Sequence, residues 1–89
     1  MNQFFVELGG RCVEAAQRRG VTIDRPTLDS EVAAELLELA RVTAHTQERR
    51  FAPLSCYLAG LAADRLGADD KAAAEFIREI RLELEATAR

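Results

Sequence analysis

The chain carries no charged side chain between Phe51 and Ala63, a run of thirteen residues. A helix that crosses a bilayer needs about 18 or more apolar residues, so this run is too short to span a membrane. An ordinary surface helix has one polar face, and this run has none. We therefore expect the segment to be buried from several sides, within the domain or against a partner.

A length of 89 residues and a net charge of −3 limit the classes of protein to which the chain can belong. One domain of this size buries roughly 60–65% of its unfolded surface, so a monomer is only modestly stable and oligomerisation is a natural supplement. The contents of hydrophobic residues, 48%, and of charged residues, 30%, are those of a globular protein. Basic and acidic residues are interleaved, which argues against a nucleic-acid partner.

The two cysteines give no sign of a metal site, because Cys12 and Cys56 lie 44 residues apart. The first ten residues, MNQFFVELGG, lack the basic and long apolar regions of a secretory signal. We expect a cytoplasmic protein with reduced thiols and no membrane partner.

Apolar residues recur at three- and four-residue spacing in four stretches, and no stretch alternates as a strand does. The pattern predicts an all-α, four-helix bundle-like single domain over residues 1–89, with helices at about 3–19, 29–50, 53–66 and 69–88. Gly20 is the expected left-handed residue after the first helix. Asp29 suits the N-cap of the second helix, as Asp69 or Asp70 suits that of the fourth. Pro53 is expected as the first residue of the third.

Side-chain periodicity assigns faces to these helices. In the second helix Leu36, Leu37 and Leu39 belong to a broad apolar arc, and His45 falls on the opposite, polar side. In the fourth helix Arg81 and Glu85 form an outward pair at i,i+4 spacing.

The third helix carries two different faces. The bulky stripe consists of Leu54, Tyr57, Leu58, Leu61 and Ala62. The small-residue stripe consists of Cys56, Ala59, Gly60 and Ala63. Small side chains let another helix approach closely, either within the chain or as the interface of a homodimer. Both interpretations stay open at this point, and the second predicts the small-residue stripe as an interface.

The junction between the second and third helices has the features of an anion site. If Pro53 is the first helical residue, Ala52 is the N-cap and has no side-chain acceptor, which leaves the amides of Leu54 and Ser55 without a local cap. Open amides beside guanidinium groups suit a phosphate or carboxylate. The predicted ligand-binding set is His45, Arg49, Arg50, Leu54 and Ser55. Water, Ser55 itself, or Gln47 or Glu48 folding back are the alternatives.

His45, the only histidine, does not indicate a metal or catalytic site. Di-iron bundles use Glu-x-x-His with both residues facing the interior. Here the order is reversed, with His45 before Glu48, and His45 lies on the polar side. We expect a solvated or interface histidine, with no catalytic residue, metal ligand or cofactor in the chain.

The stretch from Leu28 to Ala62 resembles a small uncharacterised helical family, mainly actinobacterial, that occurs alone or fused to proteins like molybdenum-cofactor guanylyltransferases. The matching positions are Leu36, Leu39, Ala40, Arg41, Ala44, His45, Arg49, Ala52, Pro53, Leu54, Leu58, Gly60, Leu61 and Ala62. The resemblance implies an accessory role near molybdopterin-dinucleotide synthesis.

Two functions are compatible with these features. The first is a non-catalytic helical interaction or accessory module, not an enzyme, that forms a homodimer and docks on a partner enzyme. The alternative is a module that binds a phosphorylated ligand at the junction of the second and third helices.

Overall fold

The computed structural model describes residues 2–87, which contain four α-helices and no strand. They are α1 (Gln3–Arg18), α2 (Ser30–Thr46), α3 (Phe51–Arg65) and α4 (Asp70–Thr87). The all-α class is therefore confirmed, while residue 88, the predicted end of the fourth helix, lies outside the described residues. None of the four helices is long and apolar enough to cross a membrane. The chain forms two compact units, Met1–Ser30 and Glu31–Arg89, and the single-domain assignment stays a prediction.

The first unit consists of α1 and the segment that follows it. The Asn2 side chain caps the helix by accepting a hydrogen bond from the Phe4 amide at 2.8 Å. At the other end Gly20 has φ +77°, and its amide donates to Gln17 while the next amide donates to Ala16. This pattern is a Schellman motif, so the predicted role of Gly20 is confirmed.

Gly9 lies inside α1, and its lack of a side chain serves a purpose there. A Cβ atom at Gly9 would lie 2.6 Å from the carbonyl oxygen of Pro26. The segment after α1 therefore passes directly over the helix backbone, which only glycine permits. This close approach explains why a glycine, which lowers helix propensity, occurs inside α1.

The second unit packs α2, α3 and α4 around a shared core. Leu39, Ala59 and Ile77 contribute one buried side chain from each helix. Val32, Leu36 and Phe76 pack against this centre. Val42 is also buried, whereas Leu37, expected in the apolar arc, is 71% exposed. The predicted apolar arc of α2 was too broad, because within this three-helix unit only a narrow stripe of α2 is buried.

An ion pair joins two helices of this unit. Arg81 Nη2 on α4 lies 3.4 Å from Glu35 Oε1 on α2, and Arg81 Nη1 lies 2.8 Å from Glu85 Oε1. The Arg81 side chain is only 16% exposed. The predicted i,i+4 pair is confirmed, but its outward orientation is wrong, because Arg81 also reaches α2.

The second helix ends four residues earlier than predicted, at Thr46, and α3 begins two residues earlier, at Phe51. Pro53 is thus the third helical residue rather than the first. A continuous helix would drive the ring of Pro53 into the carbonyl of the residue four positions before it, so the chain must turn upstream. Within the first turn of a new helix the missing amide of proline costs nothing, and the third position is as acceptable as the first.

The turn between α3 and α4 uses two local signals. Gly67 has φ +70°, and its amide donates to Asp64 while the next amide donates to Ala63, a second Schellman motif. Asp69 then accepts a hydrogen bond from the Ala72 amide at 2.9 Å. The prediction of an aspartate N-cap is confirmed, with Asp69 as the cap.

Candidate functional site

Of the five residues predicted to hold an anion, only Leu54 and Ser55 line the cavity at the junction of α2 and α3. His45 is exposed in the last turn of α2, where a protonated imidazole suits the negative end of the helix dipole. Arg49 is exposed in the turn. Arg50 donates a hydrogen bond to Glu48 at 3.4 Å, and its guanidinium lies 5.9 Å from the centre of the Phe51 ring. Both contacts of Arg50 are with residues at most two positions away in the chain.

The amides at the start of α3 are already used by the chain. The Phe51 amide donates to the Glu48 carbonyl at 3.0 Å, and the Ala52 amide donates to the Arg49 carbonyl at 3.1 Å. Pro53 has no amide hydrogen. From Leu54 onward, each amide of the helix has a carbonyl four residues earlier to which it can donate. The capping argument for the predicted anion site is therefore wrong. Anion binding by the predicted set of His45, Arg49, Arg50, Leu54 and Ser55 stays a prediction.

What the junction does contain is an apolar groove of about 420 Å³, the junction groove. Its apolar walls are Phe51, Leu54 and Leu58 from α3 and Leu84 from α4. Leu54 and Ser55 are the members of the predicted site that line it; His45, Arg49 and Arg50 do not. A second cavity of about 230 Å³ shares Ser55, Leu58 and Leu84 with it, so the groove continues toward the core.

Polar groups of the junction groove come from the C-terminal ends of α2 and α4 and from the first half of α3. They are Thr43, Thr46, Gln47, Ser55 and Thr87. Thr43 is buried, and its hydroxyl donates to Ser55 Oγ across 3.0 Å. Helical periodicity places Thr43 on the apolar arc of α2 and did not predict this hydrogen bond. A threonine on an apolar helix face is itself a signal, because a buried hydroxyl requires a partner.

Most of the small-residue stripe of α3 is covered. Ala59 belongs to the core of the second unit, Ala63 is buried as well, and the Cys56 thiol donates to the Leu36 carbonyl at 3.4 Å. Burial raises the pKa of this thiol. Gly60 is exposed, with open space where a Cβ atom would lie. The packing within the chain thus occupies Ala59 and Ala63, which a dimer interface on this stripe would require.

The bulky stripe faces outward instead. Leu54 is 62% exposed, Tyr57 68% and Leu58 65%. Leu61 is half-buried. The third helix therefore buries its small side chains and exposes its large ones, the reverse of an ordinary amphipathic helix. Exposed apolar clusters of this kind are typical of surfaces that bind another molecule.

Among residues 2–87, no three His, Cys, Asp or Glu side chains come together as metal ligands would. Comparison with protein families matches residues 7–89 to the family described as Domain of unknown function (DUF6457). The chain belongs to this family. The DUF6457 match covers α2, α3 and α4 completely, and with them the junction groove and the bulky stripe. No curated protein and no solved structure matches this DUF6457 chain.

Proposed function

We propose that this DUF6457 domain is a non-catalytic interaction module that forms a homodimer through the bulky stripe of α3. The observation that carries the proposal is the exposure of Leu54, Tyr57 and Leu58 on one uncharged helix face. Covering that face desolvates no charge, because the run from Phe51 to Ala63 contains none.

The spacing of the stripe favours a second copy of the chain as the occupant. Leu54, Tyr57, Leu58 and Leu61 follow one another at intervals of three, one and three residues. This order reads the same in both directions, so two antiparallel helices related by a twofold axis would place Leu54 opposite Leu61 of the second copy. Tyr57 would lie opposite Leu58. A closed dimer requires such a self-complementary patch.

The size of the stripe predicts a weak dimer. Full burial of one large apolar side chain contributes about 1.5–3 kcal/mol, so three such residues on each copy, already partly covered, contribute roughly 6–10 kcal/mol. Association itself costs an estimated 4–15 kcal/mol. The largest net gain that these ranges allow is about 6 kcal/mol, so we expect a dissociation constant no tighter than roughly 40 µM.

Sedimentation equilibrium over micromolar to millimolar protein tests this proposal. We expect a reversible monomer–dimer equilibrium that Tyr57→Glu abolishes, since the glutamate would be buried without a partner. Gly60→Leu is the matched control on the same helix, and we expect it to leave the dimer intact. A wild type that stays monomeric at millimolar concentration contradicts the proposal. So does dissociation by Gly60→Leu with no effect of Tyr57→Glu, which would assign the interface to the small-residue face.

We also propose that the dimer docks on a partner enzyme. The resemblance to domains fused to molybdenum-cofactor guanylyltransferase-like proteins makes such an enzyme the first partner to test. Isothermal titration of a purified guanylyltransferase of this kind with the wild-type domain should give saturable heat. Absence of heat at concentrations above the dimer dissociation constant contradicts this part and leaves the homodimer proposal standing.

A further inference from the structure

We infer that the junction groove binds a small, neutral, largely apolar molecule that carries a hydrogen-bond donor, such as a phenol or an alcohol. The junction groove overlaps the proposed dimer face at Leu54 and Leu58, whereas its polar residues and Leu84 lie outside that face. It rests on where the hydroxyl protons of the groove go.

The direction of the Thr43–Ser55 hydrogen bond follows from its neighbour. Ser55 Oγ lies 2.8 Å from the carbonyl oxygen of Ala52, which can only accept. The single hydroxyl proton of Ser55 is therefore used there. Across the 3.0 Å between Thr43 and Ser55, the proton must come from Thr43.

The other two hydroxyls of the groove also donate to the chain. Thr46 Oγ1 lies 2.8 Å from the Val42 carbonyl, and Thr87 Oγ1 lies 3.2 Å from the Leu84 carbonyl. All four hydroxyl groups of the groove therefore donate their hydrogen bonds to acceptors of the protein. What they offer a ligand is lone pairs. The polar side of the groove accepts hydrogen bonds, and a complementary ligand donates them.

Charge excludes the ionised alternatives. Among the described residues that line the groove there is no Lys, Arg, His, Asp or Glu. An anion there would meet oxygen lone pairs and no cation, and a cation would meet no carboxylate; either would lose hydration without compensation. Gln47 carries the one side-chain amide of the lining, and it lies exposed at the rim.

The dimensions suit a small molecule. A volume of about 420 Å³ lies within the range of roughly 300–1,000 Å³ that ligand sites occupy, and apolar walls with a few polar groups are typical of them. Phe51 and Leu84 provide flat and branched surfaces for an aromatic or aliphatic body. Acceptor groups beside apolar walls then set the class of ligand.

Three probes that differ in one group test the inference on the full chain. They are 2-naphthol, which donates a hydrogen bond; 2-methoxynaphthalene, which has no donor; and 2-naphthoate, which is an anion. Binding is followed by NMR shifts of the groove methyl groups of Thr43, Thr46 and Leu84. We expect saturable shifts with naphthol, about tenfold weaker binding of the methoxy compound, which corresponds to one lost hydrogen bond, and no saturation with naphthoate.

Variants locate the effect. Thr43→Val and Thr46→Val keep the side-chain shape and remove an acceptor, so we expect at least one to bring naphthol down to the affinity of the methoxy compound. Gln47→Ala should preserve the preference for naphthol. Leu84→Trp should fill the groove and abolish all binding, while Leu82→Trp, on the same helix and outside the groove, should not.

Several results would overturn the inference. Equal binding of naphthol and methoxynaphthalene would refute the acceptor argument, and tighter binding of naphthoate would restore an anion site. Groove shifts that depend on protein concentration in Tyr57→Glu, without any probe, would assign the groove to a second copy, because this variant is not expected to dimerise through the bulky stripe. Self-association is measured without probes, and Tyr57→Glu leaves the groove lining unchanged. The homodimer proposal and the groove inference can therefore fail independently.

Discussion

Arg81 on α4 lies 3.4 Å from Glu35 on α2. Among the described ion pairs, Arg81 is the one side chain of α4 that bonds to a charge on another helix. Its second terminal nitrogen bonds to Glu85 at 2.8 Å, an interaction that raises the pKa of the guanidinium against the opposing effect of burial. The Nε atom is buried, with no hydrogen-bond partner among the described residues. This arrangement holds two helices in register while leaving one donor unsatisfied.

Removing Arg81 alone should destabilise the second unit. Arg81→Met keeps the apolar stem but leaves Glu35 partly buried without a partner. We expect a loss of about 1–3 kcal/mol, between the values for exposed and fully buried pairs. The double variant Arg81→Met/Glu35→Met should recover most of this, since an apolar pair desolvates no charge. Urea unfolding measures both. Arg78→Met, an exposed arginine of the same helix, should change stability by less than about 0.5 kcal/mol.

The two adjacent glycines of α1 should respond to alanine in opposite ways. Gly9→Ala forces the Pro26 carbonyl away from a 2.6 Å approach and should cost about 1–3 kcal/mol. Gly10→Ala meets its nearest atom, Arg25 Nη2, only at 4.0 Å and should stabilise the helix by roughly 0.5–1 kcal/mol. Thermal unfolding followed by circular dichroism compares the pair. Equal effects of both substitutions would refute the close packing at Gly9.

The N-cap of α4 should be a measurable part of its stability. Asp69→Ala removes the acceptor of the 2.9 Å bond from the Ala72 amide, and we expect a loss of about 0.5–2 kcal/mol in chemical unfolding. Asp69→Asn retains a side-chain oxygen and should stay close to wild type. A loss as large for asparagine as for alanine would show that charge rather than the cap matters.

The two cysteines should differ in reactivity toward a thiol reagent. Cys12 is exposed, whereas burial raises the pKa of Cys56 and its thiol bonds to the Leu36 carbonyl. Ellman's reagent at mildly alkaline pH should therefore modify one thiol quickly, and Cys12→Ser should remove that fast phase. Faster modification of Cys56 in the folded chain would contradict its placement.

The same thiol predicts how stability depends on pH. A raised pKa means that the folded state favours the neutral thiol, so this stabilisation is complete below the ordinary value of 9.0. It is lost as the pH rises through the higher folded value. Unfolding measured at increasing alkaline pH should show this decline in the wild type and lack it in Cys56→Ala. A decline of equal size in both proteins would assign it to other groups.

Local signals in the sequence were sufficient for the helices and most of their ends. Gly20 and Asp69 act within a few residues of their own position, so their roles follow from backbone chemistry alone. The junction at Pro53 was predicted less well, because proline is tolerated at any position of a first helical turn. Only the hydrogen bonds from Phe51 and Ala52 to Glu48 and Arg49 reveal where the helix starts.

The direction in which each face of α3 points could not be obtained from periodicity. A charge-free helix has no polar side to identify the solvent, so the bulky and the small-residue stripes were equally good candidates for the core. The decision depends on how closely three helices approach. Ala59 is buried in one cluster with Leu39 and Ile77, and a leucine in its place would overfill a close-packed core.

The charge-free run from Phe51 to Ala63 thus shows both kinds of information. The sequence alone predicted a helix that is too short for a membrane and buried from several sides. The helix is confirmed, but the structure covers only the side that carries the alanines. Only the tertiary structure decided that the alanines lie inside, that Leu54, Tyr57 and Leu58 face outward, and that Thr43 meets Ser55 beside an apolar groove. Sequence pattern reports local preference, whereas burial and hydrogen-bond direction depend on residues brought together from distant parts of the chain.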